Sequence, residues 1–233
     1  MRPVLSSVMR RCLVALGLIG LSAVSGQAQE ALYGPQPPKG SAYVRIVNGL
    51  DAPVDVTPEF RTALHLGTAD GDRVSTYEVV EAVAGKPLKL SFKVAGKSIA
   101  ASVSAEADGF LTVLLVSDSS AGAKAVGVND LAQFNQNRAR LSFYNAVVDC
   151  NDGVLAIENG GQAVFKDVEQ VASRARAVNP VTARVVAGCN GKTASPVELS
   201  GLEAGGMVSV FLVGGSDKLA DFVVHDVVVP YHH

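Results

Sequence analysis

Apolar residues in this chain fall into short runs that are separated by clusters of turn-forming residues. Residues 112–116 and 222–229 are Val- and Leu-rich runs of strand length. Gly, Asn and Asp cluster between such runs, at 68–72, 94–97, 149–153, 158–161, 189–192 and 214–217. Short strands broken by turns roughly every 8 to 12 residues are typical of β-sandwiches and β-barrels, and no sustained helical period accompanies them. The pattern predicts an all-β protein.

The chain also resembles itself, which indicates two units of one fold. The similar pairs of segments are 44–48 with 141–145, 77–84 with 165–172, 96–98 with 191–193 and 109–116 with 206–213. The first and the last pair are both separated by 97 positions, and the order is the same in both halves. The alternative is that Val-rich strands and glycine turns resemble one another by chance. We predict two tandem β-sandwich domains with a weak internal repeat.

The first 28 residues have the organisation of a secretory signal peptide. Arg2, Arg10 and Arg11 precede a short apolar run, and small residues ending at Ala28 follow it. The apolar run is shorter than the roughly 20 residues that cross a bilayer. We therefore expect residues 1–28 to be removed and the mature protein to be exported.

A proline-rich arm follows the predicted signal peptide. Pro35, Pro37 and Pro38 remove backbone donors and favour an extended chain, so the arm cannot form a helix or a central strand. Two roles stay open for it, a strap across the first domain or a peg for a partner protein. The predicted order is an arm at 29–40, a β-sandwich domain at 41–124, a linker at 125–138 and a second β-sandwich domain at 139–233. Residues 217–231 are expected to add one or two strands to the second domain.

The charge of the mature chain argues against nucleic acid as a partner. Three of the 20 Lys and Arg residues lie in the signal peptide and none of the 22 Asp and Glu residues does, which leaves 17 − 22 = −5. No basic cluster stands out, whereas binding to a polyanion needs one. The same reasoning disfavours tight binding along an extended polyanionic polymer.

Two cysteines, Cys150 and Cys189, remain in the mature chain. In an oxidising compartment an even pair most simply forms one disulfide. In the chain-entropy model such a link contributes roughly 4 kcal/mol. A reactive or metal-binding pair is the alternative, but no His lies near either cysteine in the sequence and no C-x-x-C motif is present. We predict a Cys150–Cys189 disulfide.

The most enzyme-like cluster combines Ser216, Asp217, Asp221 and His225. A catalytic triad needs its nucleophile, base and orienting acid within hydrogen-bond reach of one another. On a strand, Asp221 and His225 would share a face but lie roughly 13 Å apart. We therefore predict no catalytic residues and interpret the cluster as a solvated turn followed by a strand.

The sequence contains no metal or cofactor site of recognisable spacing. The chain has four histidines, at His65, His225, His232 and His233. None of them forms an H-x-x-H or H-E-x-x-H pair. Residues 149–153 carry oxygen ligands in turn spacing but lack the closing Glu of a calcium loop. Residues 188–193 end like a phosphate-binding loop but lack its first glycine. Both segments are expected to be turns.

Sugar binding is harder to exclude than metal binding. Sugar-binding sandwiches use aromatic platforms, and this chain has no Trp and five Tyr. Tyr33, Tyr43, Tyr77 and Tyr144 could stack on a sugar ring. The last three fall in predicted strands, where packing in the core is the commoner role. Carbohydrate binding therefore stays open as an alternative.

The start of the mature chain carries a family pattern. Residues 31–48 read A-L-Y-G-P-x-x-P-K-G-S-x-x-V-R-x-x-N, where x marks an unmatched position. Residues 140–145, R-L-S-F-Y-N, and the pair Asn179–Pro180 add to the similarity. On these residues the chain resembles the AlgF family of alginate O-acetylation proteins, including its homologous branch in cellulose acetylation. The mature cysteine pair departs from the pattern of that family.

The resemblance implies a non-catalytic adaptor in the periplasm of a Gram-negative bacterium, required for O-acetylation of alginate or cellulose. Such an adaptor would bind a periplasmic polysaccharide O-acetyltransferase and link it to a membrane-bound O-acyltransferase, without a cofactor. The polysaccharide itself is a further candidate partner. The candidate contact residues are Tyr33, Gly34, Pro35, Lys39 and Gly40.

Two functions of other classes stay open beside the adaptor. One is a carbohydrate-binding module that presents the polymer, in which case Tyr→Ala changes would reduce its affinity. The other is an acetyltransferase or esterase acting through Ser216, which the expected geometry of the Ser216 cluster disfavours.

Overall fold

The computed structural model describes residues 36–130, 137–215 and 218–232. The predicted signal peptide, residues 1–28, lies outside this part of the chain. In the described ranges the secondary structure is almost entirely β, and the one helical segment is a 3-10 turn at Asp70–Asp72. No helix in these ranges is long and apolar enough to cross a membrane. The all-β prediction is confirmed.

The strands of the described ranges form two successive groups, which we call the first and the second repeat. The first repeat contains β1 (Ala42–Asn48), β2 (Val54–Pro58), β3 (Leu64–Leu66), β4 (Glu78–Val80), β5 (Pro87–Val94), β6 (Lys97–Ser104), β7 (Phe110–Asp118) and β8 (Gly122–Asp130). The second repeat contains β9 (Ala139–Asn145), β10 (Gly153–Ile157), β11 (Ala163–Val168), β12 (Ala172–Val178), β13 (Ala183–Cys189), β14 (Lys192–Thr193), β15 (Val197–Leu199), β16 (Met207–Gly215) and β17 (Lys218–His225).

Each repeat is built from an inner and an outer sheet. In the first repeat the inner sheet has the strand order β4-β1-β7-β8 and the outer sheet has the order β3-β2-β5-β6. In the second repeat the inner sheet has the order β12-β9-β16-β17, and the outer sheet has the order β11-β10-β13-β14, with β15 also pairing with β13. β1 runs parallel to β7, and β9 runs parallel to β16. Corresponding strands therefore occupy the same places in both repeats.

The spacing of 97 positions found in the sequence reappears in the strand register. Val44 lies opposite Leu111 in the first repeat, and Leu141 lies opposite Val208 in the second. Leu141 comes 97 positions after Val44, and Val208 comes 97 positions after Leu111. The strand pairs β1–β7 and β9–β16 therefore have the same register. The predicted internal repeat is confirmed.

The matched glycine turns are also equivalent. The β5–β6 and β13–β14 connections are both two-residue hairpins. A type I′ hairpin turn requires positive φ at both central residues. The φ angles are 47° and 80° at Ala95 and Gly96, and 51° and 73° at Asn190 and Gly191.

The sequence alignment of residues 77–84 with 165–172 is wrong. The first of these segments contains β4, which pairs with β1 in the inner sheet, whereas the second overlaps β11, which pairs with β10 in the outer sheet. The counterpart of β4 is β12, because β12 pairs with β9 as β4 pairs with β1. The shared V-E-x-V-A pattern begins at the last residue of β4 and of β11 and then covers the loop that follows each strand, ending in the second case at the first residue of β12.

The outer sheets alternate between buried and exposed positions. In β5, Leu88, Leu90 and Phe92 are buried and the residues between them are exposed. This is the pattern of an antiparallel sheet that has one face on a core and the other in solvent.

The inner sheets are buried on both faces. Nearly every residue of β1, β7, β9 and β16 is buried. One face packs on the outer sheet of the same repeat, and the other face packs on the inner sheet of the other repeat. The core between the inner sheets includes Val47 and Leu114 of the first repeat and Tyr144, Phe211 and Phe222 of the second. The described ranges therefore form four stacked layers, in the order outer, inner, inner, outer.

The shared core bears on the predicted domain division. β8 continues to Asp130, past residue 124, so part of the predicted linker at 125–138 is strand. The two repeats also bury side chains against each other. Independent folding of 41–124 and 139–233 stays a prediction.

The chain leaves the second repeat after β17. β17 pairs with β16 along its length, as expected for an added strand. The main chain then turns to the first repeat, where the Tyr77 N–H donates to the Val227 carbonyl at 2.8 Å and the Val229 N–H donates to the Tyr77 carbonyl at 2.9 Å. The expectation that residues 217–231 join the second repeat is therefore wrong for the part that follows Asp226, whose N–H still donates to the Met207 carbonyl of that repeat.

The predicted Cys150–Cys189 disulfide is confirmed. It joins the turn before β10 to the end of β13, with the two Cα atoms 5.9 Å apart. Beside it, Asp152 Oδ1 accepts a hydrogen bond from the Asn190 N–H at 2.8 Å. The two turns are thus held together by a covalent bond and by a hydrogen bond.

Candidate functional site

Two of the predicted contact residues, Lys39 and Gly40, lie in the described part of the chain. Lys39 is exposed and Gly40 is half-buried. Tyr33, Gly34 and Pro35 lie outside the described residues. The role of these five residues in binding a partner stays a prediction.

The described end of the arm is attached to the first repeat. Gly40 adopts a φ of 84°, and its N–H donates to Asp108 Oδ1 at 3.0 Å. The Gly40 carbonyl accepts a hydrogen bond from the Val83 N–H at 2.9 Å. This end of the arm is therefore fixed against the loop after β4 and the loop before β7, the two strands that lie on either side of β1.

The exposed faces of the two outer sheets differ in polarity. In the first repeat, the outward side chains of β2 and β5 are exposed and, apart from that of Pro87, polar. The polar ones are Asp55, Thr57, Lys89, Ser91 and Lys93. This is an ordinary solvated sheet face.

In the second repeat, the same face carries the exposed Arg184 on β13. Beside it lie three apolar residues, Val154 and Ala156 on β10 and Val186 on β13, which we call the apolar patch. They alternate along their strands with Leu155 and Ala187, which are in the core, so their side chains point away from the core. All three are half-buried.

The strand register shows which residues of the first repeat the apolar patch replaces. β5 and β13 end in the matched hairpins, so Val186 corresponds to Ser91. β10 pairs with β13 as β2 pairs with β5, so Val154 corresponds to Asp55. The second repeat thus has valines where the same fold elsewhere in the chain has a hydroxyl and a carboxylate. Ala156 lies directly opposite Val186 across the two strands, so the patch is a contiguous apolar surface, and such surfaces mark interaction sites.

A buried polar cluster lies between the inner sheets, centred on Arg45 of β1. Arg45 is 1% exposed. Its guanidinium donates to Thr112 Oγ1 at 3.0 Å, to Ser209 Oγ at 3.0 Å and to the Asp226 carboxylate. Ser209 Oγ in turn donates to Asp226 Oδ2 at 2.7 Å. The cluster therefore connects β1 and β7 of the first repeat to β16 and the residue after β17.

A second carboxylate of the cluster, Asp130, accepts hydrogen bonds from both repeats. Tyr144 and Ser173 of the second repeat donate to it at 2.6 and 2.8 Å. Thr112 of the first repeat donates at 3.0 Å, and the Tyr77 hydroxyl lies 3.1 Å from Thr112 Oγ1. Asp130 thus extends the cluster from the end of β8 to β9 and β12.

Aromatic rings surround the buried cation. The Arg45 Cζ atom lies 4.4 Å from the centroid of the Tyr77 ring and 5.2 Å from those of Tyr144 and Phe211. Burial alone would lower the pKa of Arg45, but the surrounding tyrosine and aspartate oxygens raise it on balance. Burial raises the pKa of Tyr77 to about 12 and also raises that of Tyr144. The cluster therefore holds a charged guanidinium among neutral phenols.

The polar groups of the cluster expose almost no surface to a substrate, although Arg45 and Asp226 are among the residues that line a surface cavity next to Thr76. Arg45, Thr112, Tyr144 and Ser209 are each at most 1% exposed. A catalytic or sugar-binding site needs polar groups that a ligand can reach. We therefore assign these groups a structural role, which is to join the two repeats.

Sequence reasoning missed this cluster, although two signals pointed to it. Arg45 is a charged residue in the otherwise apolar run Val44 to Val47. Thr112 and Ser209 interrupt two Val- and Leu-rich runs at equivalent positions, 97 apart. Polar residues at matched positions of strands that are otherwise apolar indicate buried partners, because a buried polar group needs a hydrogen bond.

The family pattern V-R-x-x-N contains a second buried residue, Asn48. Its Oδ1 accepts a hydrogen bond from the Leu50 N–H at 3.0 Å, and Oδ1 of the equivalent Asn145 accepts one from the Val147 N–H at 3.2 Å. Both asparagines are fully buried. Each one fixes the turn that follows an inner strand, which explains why Asn recurs at this position of both repeats.

The enzyme-like cluster of the sequence is not assembled among the described residues. Ser216 and Asp217 lie outside the described ranges. Asp221 Oδ2 accepts a hydrogen bond from the Ala187 N–H at 3.3 Å. The His225 ring instead packs over Gly201, where a Cβ atom would overlap it. Asp221 and His225 therefore have different neighbours.

Asp221→Asn is expected to change how stability depends on pH. Burial raises the pKa of Asp221 to about 6, although the hydrogen bond from Ala187 opposes the rise. Between about pH 4 and pH 6 the folded state holds a proton that the unfolded state has released, so wild-type stability falls as the pH rises and then levels off. Asn does not titrate, so the variant lacks this loss. Its free energy of unfolding relative to the wild type should therefore be about 1 kcal/mol higher at pH 7 than at pH 4, a figure that is reduced because Asp221 is partly solvated. Urea unfolding at both pH values measures this gain, and an unchanged difference between the two proteins would contradict it.

The aromatic residues considered for sugar stacking lie largely in the interior. Tyr77 and Tyr144 are 1% and 0% exposed, which confirms the expectation of core packing for both. The Tyr43 ring stacks on Phe110 with a centroid distance of 4.8 Å. Tyr33 lies outside the described residues. Tyr77 and Tyr144 cannot serve as sugar platforms.

Potential metal-ligating atoms of Cys150, Asp152 and Cys189 lie within 4.8 Å of one another. Both sulfur atoms are bonded in the disulfide, which leaves one carboxylate. This group of residues therefore cannot coordinate a metal ion in the oxidised protein.

Comparison with family models decides the family of this chain. The model described as "Alginate O-acetyl transferase AlgF" matches residues 13–209, which is most of the chain. The chain belongs to the AlgF family. The resemblance drawn from residues 31–48 is thereby confirmed.

Pseudomonas aeruginosa provides both a protein and a solved domain structure that are similar to this AlgF-family chain. Its alginate biosynthesis protein AlgF is 28% identical over 208 residues, which cover 87% of each chain. A solved structure of the C-terminal domain of AlgF from the same organism is 25% identical, with a TM-score of 0.34, and the match covers 38% of this chain and 98% of that one. The latter superposition is too loose to add to the description of the fold.

Proposed function

We propose that this AlgF-family protein is a non-catalytic periplasmic adaptor required for O-acetylation of an alginate-type exopolysaccharide. It binds a periplasmic polysaccharide O-acetyltransferase and links it to a membrane-bound O-acyltransferase. Family membership supports the process, because the family description names alginate O-acetylation and the P. aeruginosa relative is named as an alginate biosynthesis protein. Acetylated cellulose is the alternative polymer.

The observation that carries the adaptor role is the apolar patch. Val154, Ala156 and Val186 stand at outward positions of a sheet. The equivalent face of the first repeat is charged and hydroxylated, so the fold itself does not require apolar residues there. Apolar side chains enriched at one surface favour its burial against another protein.

Two further observations support a non-catalytic role. The cluster around Arg45 combines carboxylates, a guanidinium and hydroxyl groups, but these side chains are buried between the inner sheets. Asp221 and His225, which a triad would bring together, have different neighbours. We propose that the transferase chemistry named in the family description is carried out by the bound partner.

Complex formation with the periplasmic acetyltransferase encoded nearest to this protein tests the proposal. We expect the chain from residue 29 onward to co-elute with that enzyme in size-exclusion chromatography with light scattering at micromolar concentration. Val154→Asp combined with Val186→Ser installs the residues that the first repeat carries. This double variant should weaken binding at least about tenfold, because it replaces apolar contacts at the patch by polar groups. Ser91→Val, the converse change on the first repeat, is the matched control and should leave binding unchanged.

Removing residues 29–35 tests the arm separately from the apolar patch. This deletion leaves the attachment of Gly40 to Asp108 and Val83 in place. Binding that is lost on this deletion but kept by the patch variant would assign docking to the arm. Absence of any complex, together with affinity for oligosaccharides, would favour the carbohydrate-binding alternative. Hydrolysis of a chromogenic acetyl ester by the isolated chain would overturn the non-catalytic role.

A further inference from the structure

The last described residues of the chain connect the two repeats. The Asp226 N–H donates to the Met207 carbonyl at 2.9 Å, so this residue still belongs to the inner sheet of the second repeat. The next residues pair with the first repeat, through the 2.8 Å bond from Tyr77 to Val227 and the 2.9 Å bond from Val229 to Tyr77. The chain therefore passes from one inner sheet to the edge of the other within a few residues.

Tyr231 extends this attachment. Its hydroxyl donates to Glu81 Oε1 at 2.7 Å, and Glu81 directly follows β4, the edge strand of the first inner sheet. Residues 227–231 thus lie along that edge. Together with Asp226, which is still bonded to Met207 of the second repeat, they form the segment that we call the clasp.

The clasp contributes one half of a buried ion pair. The side chains of Arg45 and Asp226 are each 1% exposed. The guanidinium belongs to the first repeat, and the carboxylate belongs to the clasp. Drawing the clasp away would leave a buried cation without its hydrogen-bonded carboxylate, which is strongly unfavourable unless water enters the interface.

We propose that the clasp holds the two repeats in one fixed orientation, with the Arg45–Asp226 pair as its lock. The covalent connection between the repeats runs through residues 131–138, and the clasp is a second, non-covalent connection at the other end of the second repeat. With both in place, and with Asp130 bonded to Tyr144 and Ser173, the inner sheets stay closed on their shared core. Once the lock is broken, water solvates Arg45 and the repeats reorient before either one unfolds.

Asp226→Asn tests the lock, because it removes the charge and keeps the size of the side chain. Residual dipolar couplings of the chain from residue 29 onward should fit one alignment tensor in the wild type and two in the variant, one for each repeat. Thermal unfolding should split into two transitions, the first about 10 °C below the wild-type midpoint. Hydrogen exchange of the Tyr77 amide, whose acceptor is in the clasp, should become at least about tenfold faster.

Two further variants separate the lock from general destabilisation. Asp221→Asn makes the same chemical change on β17, but Asp221 accepts from Ala187 of its own repeat, so one tensor should still fit. Val229→Pro removes the N–H that bonds to Tyr77 without leaving a buried charge, and it should require two tensors even if Asp226→Asn does not fold. A single tensor and a single transition for both Asp226→Asn and Val229→Pro would overturn the clasp.

Discussion

Arg45→Ala is expected to lower the free energy of unfolding by about 3–5 kcal/mol. The change leaves the Asp226 carboxylate buried without its counter-ion and removes the donors to Thr112 and Ser209. This figure includes the loss of hydrogen bonds from a charged donor, which contribute about 1.5–3 kcal/mol each. Urea unfolding followed by far-UV circular dichroism measures the change, since the chain has no Trp for fluorescence.

Arg184→Ala is the matched control for Arg45→Ala. Arg184 forms an ion pair with Glu158 at 2.7 Å, but its side chain is 55% exposed, so the loss should be below about 1 kcal/mol. Arg45→Lys keeps the charge but not the fork of donors that reaches Thr112, Ser209 and Asp226, so it should rescue only part of the stability. Equal effects of the Arg45→Ala and Arg184→Ala substitutions would contradict a central role for Arg45.

Loss of the Cys150–Cys189 disulfide is expected to lower the free energy of unfolding by about 4 kcal/mol. The cysteines are 39 positions apart, so opening the loop raises the entropy of the unfolded chain. Cys150→Ala combined with Cys189→Val is the variant of choice, because Val94 occupies the position of Cys189 in the first repeat. Urea unfolding with and without a thiol reductant measures the effect.

The reductant provides the control for this experiment. Wild-type stability should fall on reduction to about that of the double variant, and the double variant should not respond. A double variant as stable as the oxidised wild type would show that the two turns are held by other contacts, such as the bond from the Asn190 N–H to Asp152.

Strands and turns were predictable because their signals are local. The alternation in β5 and the glycines of the Gly96 and Gly191 turns depend on neighbours a few residues away. The internal repeat was predictable for a related reason, because equivalent positions such as Asn48 and Asn145 make equivalent local hydrogen bonds. The alignment of 77–84 with 165–172 failed because the shared residues cover a strand end and the loop after it, which do not specify the neighbour with which the strand pairs.

The candidate site was less accessible from the sequence. The sequences of β10 and β13, which contain Val154, Ala156 and Val186, are ordinary for strands. These residues can be recognised as a surface patch only once the structure shows which face is outward and which residues the first repeat has at the same positions. Arg45 and Asp226 are 181 positions apart, and no local pattern connects them. The family pattern contains Arg45 and Asn48, but a pattern of residue types does not specify whether such residues bind a partner or support the core.

The amino-acid sequence by itself determined the all-β class, the duplicated unit, the matched hairpins and the disulfide, because each follows from periodicity, turn chemistry or composition. Only the tertiary structure decided that the two inner sheets face each other, that the chain returns to the first repeat after Asp226, and that Asp226 pairs with the buried Arg45. The physical reason is that a long apolar run such as that of β7 or β16 predicts a strand with both faces buried. The run does not specify which sheet covers each face. The partner face is selected by packing between residues that are distant in the chain.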